Sequence, residues 1–128
     1  MTAHANRPLS PHLQVYRWEL TTMAMSISHR MSGVFLSIGS VLLAVWLVAA
    51  AMGGEAFQAV NGHLGAWYGQ VLLLAWSYAL FYHLCNGIRH LVWDTGTALG
   101  RETARISGYI ALAASVVLTA LAWGIALA

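Results

Sequence analysis

The stretch MSGVFLSIGSVLLAVWLVAAAMGG, residues 31–54, contains no charged side chain and decides the fold. A helix rises about 1.5 Å per residue, so roughly 20 apolar residues span the ~30 Å hydrocarbon core of a bilayer. Residues 64–88 and 106–128 are also uncharged and long enough. Strands are excluded because these segments are too long and do not alternate, and because backbone in lipid must satisfy its own hydrogen bonds. The sequence therefore predicts an all-α membrane protein with three transmembrane helices.

Composition supports this class and excludes others. The chain has 128 residues, of which 59% are hydrophobic and 8% are charged, whereas a soluble domain carries about a quarter charged residues. Its six basic residues are all arginines and are scattered singly rather than clustered on a solvated face, so we expect membrane-end anchors and no nucleic-acid partner. The single cysteine, Cys85, cannot form an internal disulfide and is interpreted as a small buried hydrophobic residue.

We expect helices at about residues 23–52, 64–93 and 104–127 within a transmembrane domain of residues 23–128. Residues 1–22 form an N-terminal cytoplasmic arm, which is polar and lacks an apolar core long enough for a cleaved signal peptide. No repeat or second domain is indicated. Three helices make a thin bundle, so we expect the chain to be part of a larger helical bundle with a second membrane-anchor subunit.

The arginines predict the orientation of the chain. All six fall at the same end of the predicted helices: Arg7, Arg17, Arg30, Arg89, Arg101 and Arg105. The positive-inside rule assigns this end to the cytoplasm, or to the matrix of a mitochondrion. The sequence therefore predicts a multi-pass protein of the bacterial inner (cytoplasmic) membrane, ahead of the mitochondrial inner membrane, with its N-terminus inside and its C-terminus outside.

The second predicted helix carries a polar face. His83, Gly87, His90 and Asp94 follow one another at steps of four, three and four, so they share one side of the helix. His83 lies about 15 Å along the axis from Trp93, which places it within the hydrocarbon. A neutral imidazole buried without a partner is unfavourable, so His83 needs a hydrogen bond or a metal.

A haem fits this face. Gly87 removes side-chain bulk beside His83 and leaves room for a flat group, with the propionates directed towards His90 and Arg30. The alternative is that His83 hydrogen-bonds a neighbouring helix and that Gly87 serves helix packing. No other histidine is expected at the depth of His83 on another helix, since His29 is interpreted as lying near the inner boundary. A second axial ligand must then come from another polypeptide.

A second polar cluster, SISHRMSG, occupies residues 26–33 at the inner end of the first helix. Ser26 and Arg30 are four residues apart, as are His29 and Gly33, so hydroxyl, imidazole and guanidinium project over adjoining parts of one surface. A serine hydroxyl beside an arginine can bind a quinone carbonyl. The alternative is that Arg30 is a membrane anchor and that Ser26 bonds its own backbone.

Three motifs resemble those of a known family. RPLSPHLQVY at residues 7–16, SISHRMSG at 26–33 and HLCNGIRHLVWDTG at 83–96 are similar to motifs of the cytochrome b556 subunit of succinate dehydrogenase, a membrane anchor of respiratory complex II. The resemblance covers the whole chain. The third motif, HxxxGIRHLxWDxG, is the most specific, while the RP arm alone is weak.

The resemblance implies a haem site shared between two subunits. In the family, the histidine matching His83 is an axial ligand of haem b, and a companion membrane-anchor subunit supplies the other. The residues matching His29, Arg30 and His90 lie on the propionate side. This agrees with the expectation that this chain supplies no second axial ligand of its own.

The resemblance also implies a quinone site. Ser26 and Arg30 match residues of the ubiquinone site near the iron-sulfur subunit, and Asp94 is expected near it as a structural or proton-path residue. Arg89 belongs to the third motif and is interpreted as an anchor or ion-pair partner. Ser28 stands where an apolar residue is more usual.

The implied function is that of a membrane-anchor subunit with no catalytic residues of its own. A flavoprotein subunit oxidises succinate, an iron-sulfur subunit carries the electrons, and ubiquinone receives them at the membrane boundary; this chain has no cysteine-rich cluster site and no nucleotide motif. One alternative is the anchor of a fumarate reductase that uses menaquinone. Another is a small non-redox membrane protein, but that function does not explain the polar face of the second helix.

Overall fold

The computed structural model describes residues 20–128, and the secondary-structure elements in this part of the chain are all helices. A π-helical turn, Leu20–Ala24, leads directly into α1, and a short α2 separates α1 from α3. The four α-helices are α1 (Met25–Met52), α2 (Gly54–Gly65), α3 (Trp67–Asp94) and α4 (Arg101–Leu127). In this part of the chain three helical segments are long and apolar enough to cross a membrane. The predicted all-α class with three such helices is confirmed.

The structure differs from the sequence prediction at two places. Residues 20–22, assigned to the arm, are helical, so the first long helix starts earlier; the rest of the arm, with Arg7, Arg17 and the first motif, lies outside the described residues. The expected loop before α3 is instead the short helix α2. Gly53 ends α1 with a φ of 68°, and its N–H donates to the Ala49 carbonyl at 3.0 Å. This left-handed conformation favours glycine and turns the chain into α2.

One face of α2 packs onto α1 and α3, where Trp46 Nε1 donates to Asn61 Oδ1 at 3.0 Å. The half-buried positions on this face are Ala56, Phe57, Val60 and Leu64. Their spacing is that of an amphipathic helix. The glycine pair at the start of α2, Gly53 and Gly54, and the four polar side chains of α2 mask this pattern in the sequence.

The long helices run antiparallel to their neighbours in the order α1, α3, α4. Contacts between α1 and α3 pair Ser28 with Tyr82 and Gly39 with Trp76, while Trp123 of α4 donates to Ser77 of α3. The start of α1, the end of α3 and the start of α4 therefore meet at one end of the bundle. This end carries Arg30, Arg89, Arg101 and Arg105 and is called the arginine end below.

The buried core is small and made largely of small or polar side chains. Its fully buried members include Met25, Asn86 and Ser115. Many large apolar side chains point outward instead, and Leu42 and Ile110 are each 63% exposed. Because lipid offers no hydrophobic driving force between helices, close packing of small residues holds such bundles together. The outward apolar surface is suited to lipid and to neighbouring chains.

Gly108 is the point of closest approach between α4 and the start of the first helix. A Cβ at this position would lie 2.8 Å from Thr21 Cβ and 3.1 Å from Met25 Sδ. We therefore expect Gly108→Ala to push these helices apart and to cost about 1–3 kcal/mol. Gly124→Ala is the matched control, because a Cβ there meets nothing within 4 Å among the described residues. Thermal denaturation in detergent measures the effect; equal melting temperatures for the two variants would contradict the packing role of Gly108.

Candidate functional site

His83 lies half-buried on α3 with its Nδ1 atom turned towards α1. Nδ1 is 3.1 Å from the carbonyl oxygen of His29 and 3.1 Å from the hydroxyl oxygen of Ser32. A carbonyl oxygen can only accept, so the hydrogen bond to His29 requires the proton on Nδ1. The other ring nitrogen, Nε2, then carries the lone pair, which is the form in which a histidine binds a metal.

Gly33 of α1 brings the backbone close to this ring. A Cβ on Gly33 would lie 3.0 Å from His83 Cε1, tighter than most real contacts, so a larger residue would displace the imidazole. In the sequence Gly33 is a small motif residue four positions after His29. Gly33 acts in tertiary packing, because it lets the α1 backbone approach His83 of α3 closely.

Three imidazoles gather beside each other. The ring of His29 stacks on that of His83 with centroids 4.0 Å apart and planes at 19°, and it lies 5.3 Å from the ring of His90. His90 in turn meets Trp93 edge to face at 5.1 Å. The structure therefore brings the rings of His29, His83 and His90 together.

The depth expected for His29 was wrong. The ring of His29 stacks on that of His83, so the two histidines lie at the same level of the bundle and not at different depths. Axial ligands occupy opposite faces of an iron, whereas these two rings stack directly on each other with centroids 4.0 Å apart, which leaves no room for an iron between them. His29 is therefore unsuited to be the second axial ligand, and the expectation that this ligand comes from another chain stays a prediction.

The donor set suits a porphyrin better than a bare metal ion. Within the described residues no group of three or more His, Cys, Asp or Glu side chains is arranged to hold a metal. A porphyrin supplies its own equatorial nitrogens and needs axial ligands alone, so one imidazole lone pair is a sufficient contribution from this chain.

The space beside His83 also fits a flat group. A Cβ on Gly87, one helical turn from His83, would meet no atom within 4 Å among the described residues. On the facing helix α1, His29 Nδ1 is buried and lacks a hydrogen-bond partner among the described residues. A polar group of a ligand placed against this surface would supply the partner that a buried nitrogen needs.

The residues predicted to bind quinone lie on α1 at the arginine end. Ser26 is half-buried and Arg30 is exposed, one turn apart. Within residues 20–128 neither side chain makes a hydrogen bond or an ion pair, so both remain available to an outside group. Asp94 is exposed at the last residue of α3, and the described residues form no ion pair with it.

Arg89 has a different role from the anchor or ion-pair partner that the sequence suggested. It is only 7% exposed, and its Nε donates to Ser107 Oγ at 3.0 Å. Its Nη2 donates to the carbonyls of Thr21 and Ala104 at 2.7 and 2.6 Å. The guanidinium also lies 4.1 Å from the ring centroid of Trp93. Arg89 thus ties the first helix, α3 and α4 together at the arginine end.

Sequence reasoning missed two serines that connect α1 to α3. Ser28 donates to the Ala24 carbonyl at 2.8 Å and accepts a 2.5 Å hydrogen bond from the Tyr82 hydroxyl. Ser32 holds His83 as described above. The sequence pattern that could have indicated this role is the four-residue spacing of the serines, because residues 28 and 32 share a helix face and their partners 82 and 83 are adjacent.

Those two serines and Tyr82 line an apolar groove of about 410 Å³ between α1, α3 and α4. Ser26 and Arg30 do not line it. The groove and the predicted quinone residues are therefore separate features of α1.

Comparisons with known proteins agree on one family. The profile described as "Succinate dehydrogenase/Fumarate reductase transmembrane subunit" matches residues 3–122. The succinate dehydrogenase cytochrome b556 subunit of Paracoccus denitrificans is 45% identical over 116 residues, covering 91% of this chain and 88% of the relative. That of Rickettsia felis is 40% identical over 117 residues, covering 91% and 90%. The mitochondrial cytochrome b560 subunit of Sus scrofa is 39% identical over 116 residues, covering 88% and 67%.

Proposed function

Because the chain belongs to the family of succinate dehydrogenase/fumarate reductase transmembrane subunits, we propose that it is the cytochrome b556 membrane anchor of a succinate:quinone oxidoreductase. As a member of this family it is a membrane subunit of an oxidoreductase complex and is not catalytic on its own. The finer proposal is that it ligates haem b, forms part of the ubiquinone-reduction site and anchors the iron-sulfur and flavoprotein subunits.

The observation that carries the haem assignment is the hydrogen bond between His83 Nδ1 and the His29 carbonyl. With its Nδ1–H donated to α1, the ring keeps the Nε2 lone pair for a metal, and a Cβ on Gly87, one turn away, would meet no atom within 4 Å among the described residues. His29, Arg30 and His90 would hold the propionate side, and a second membrane-anchor subunit would supply the other axial histidine. When bound, the haem supplies a one-electron redox centre within the membrane.

The quinone assignment rests on Ser26 and Arg30. A hydroxyl and a guanidinium one turn apart orient a ubiquinone carbonyl and stabilise the negative charge that forms on its oxygen during reduction. Electrons would arrive from the iron-sulfur subunit, which receives them from succinate oxidation on the flavoprotein. Asp94, exposed at the end of α3, would serve as a structural or proton-path residue at this boundary.

The arginine end would face the cytoplasm of a bacterium. Arg30, Arg101 and Arg105 are exposed there, and the described residues have no arginine at the other end. This distribution supports the cytoplasmic (inner) membrane as the location, with the N-terminus inside. In that orientation Ser26 and Arg30 would lie on the side where the soluble subunits would dock.

We expect substitutions in the quinone site to separate two activities. Arg30→Ala removes a charge-assisted hydrogen bond worth about 1.5–3 kcal/mol, so quinone-linked succinate oxidation should fall about 10- to 100-fold. Ser26→Ala removes a neutral hydrogen bond and should cost roughly 3- to 10-fold. Succinate oxidation by a soluble artificial acceptor should persist in both, because that electron path ends before the membrane.

Arg105→Ala is the control for Arg30→Ala. Arg105 is an exposed arginine at the same end, and its partner is Glu102 at 2.9 Å; its loss should leave quinone reduction unchanged. An equal loss of both activities in Arg30→Ala would indicate failed assembly, and unchanged quinone reduction would refute the assignment. The same assay with ubiquinone and menaquinone as acceptors distinguishes the succinate dehydrogenase from the fumarate reductase alternative.

A further inference from the structure

We propose that Ser32, together with the His29 carbonyl and Gly33, forms a seat on α1 that fixes the orientation and donor strength of the His83 imidazole. Ser32 is thereby a positioning residue that tunes the haem without touching it. This inference rests on the haem assignment proposed above. It adds a role for a segment of α1 that contributes no haem ligand.

The hydrogen bonds at the seat have a defined direction. The Ser32 hydroxyl donates its one proton to the His29 carbonyl at 2.7 Å, so its oxygen presents a lone pair to His83 Nδ1. The Nδ1–H is therefore shared between two acceptors, Ser32 Oγ and the His29 carbonyl, each at 3.1 Å. Ser32 is 9% exposed, so water has little access to replace its hydroxyl.

Packing restrains the ring as well. The imidazole of His29 covers the His83 ring at 4.0 Å, and the α1 backbone at Gly33 approaches its Cε1 atom. The ring is thus held by hydrogen bonds at Nδ1, by stacking on a face and by backbone at an edge. All of these contacts are made by the chain itself, so the nitrogen that would meet the iron is preorganised.

Acceptors at Nδ1–H change the chemistry at Nε2. They draw the proton away from the ring and raise the basicity of the opposite nitrogen, as hydrogen-bond partners of metal-bound histidines do. A more basic axial ligand favours ferric over ferrous iron and lowers the reduction potential. Loss of the Ser32 hydroxyl leaves the His29 carbonyl as the remaining acceptor, so the potential should rise.

The test uses the whole complex purified in detergent. We expect Ser32→Ala to keep its haem content, because Nε2 is unchanged, but to show a higher haem midpoint potential and a shifted electron paramagnetic resonance spectrum of the oxidised haem. Ser32→Thr, which retains the hydroxyl, should restore the potential towards that of the unaltered complex. Ser37→Ala is the control, because the Ser37 hydroxyl also donates to the α1 backbone, to the Gly33 carbonyl at 2.9 Å, without contacting His83.

A second variant keeps the test decisive if Ser32→Ala assembles poorly. Gly33→Ala places a Cβ 3.0 Å from His83 Cε1 and should rotate the ring, which changes the resonance spectrum with the Ser32 hydroxyl intact. An unaltered potential and spectrum in Ser32→Ala, or an unaltered spectrum in Gly33→Ala, would overturn the seat while leaving the haem assignment standing. Absence of b-type haem from the unaltered complex would instead refute the proposed function itself.

Discussion

His83→Ala is expected to abolish the low-spin b-type haem spectrum of the purified complex. The substitution removes the imidazole whose Nδ1–H is donated to α1 and whose Nε2 would bind the iron. Even residues that only hydrogen-bond to a metal ligand change metal affinity by about 10- to 100-fold, so the loss of a direct ligand should have a larger effect. Haem that remains through the partner subunit alone would be five-coordinate, with displaced absorption bands. Visible and electron paramagnetic resonance spectra of the complex measure both outcomes.

His63→Ala is the matched control for this substitution. His63 is an exposed imidazole on α2, at the end of the bundle away from the arginines, and its Nδ1 lies 2.6 Å from the Tyr68 hydroxyl. The haem spectrum should be unchanged in this variant. If His83→Ala also keeps unaltered low-spin bands, the ligand assignment is wrong.

Arg89→Leu should produce the largest loss of stability among single substitutions at the arginine end. It removes three hydrogen bonds and the contact with Trp93, and it takes one donor away from each of the Thr21 and Ala104 carbonyls. Hydrogen bonds between membrane helices average about 0.6 kcal/mol, and a desolvated cation–π contact adds up to about 2 kcal/mol. We therefore expect a loss of about 2–4 kcal/mol. The melting temperature of the complex and its yield in membranes report it.

Two further variants of the arginine end sharpen this prediction. Arg89→Lys keeps the charge but lacks the planar fork that reaches three acceptors at once, so it should fall between the unaltered protein and Arg89→Leu. Arg101→Leu removes the same charge from an exposed position at the start of α4 and should have little effect. Identical stability of Arg89→Leu and Arg101→Leu would show that Arg89 is only a charged anchor.

Much of the site was accessible from residue spacing. His83, Gly87 and His90 share a face because helix geometry is regular, and the structure keeps them on one side of α3 with space beside Gly87. The depth of His29 within the bundle could not be predicted from residue spacing. It depended on the axial register of α1 against α3, which brings the rings of His29 and His83 into contact.

Length, hydropathy and helical period are local properties, and for that reason the sequence by itself determined the helical class, the three long apolar segments and the polar face of α3. The tertiary structure alone decided what Ser32 and Arg89 do. Their partners are 51 and up to 68 residues away along the chain. Such contacts depend on the axial register and rotation of antiparallel helices. The close approaches at Gly33 and Gly108 set this register, and no periodicity within one helix encodes it.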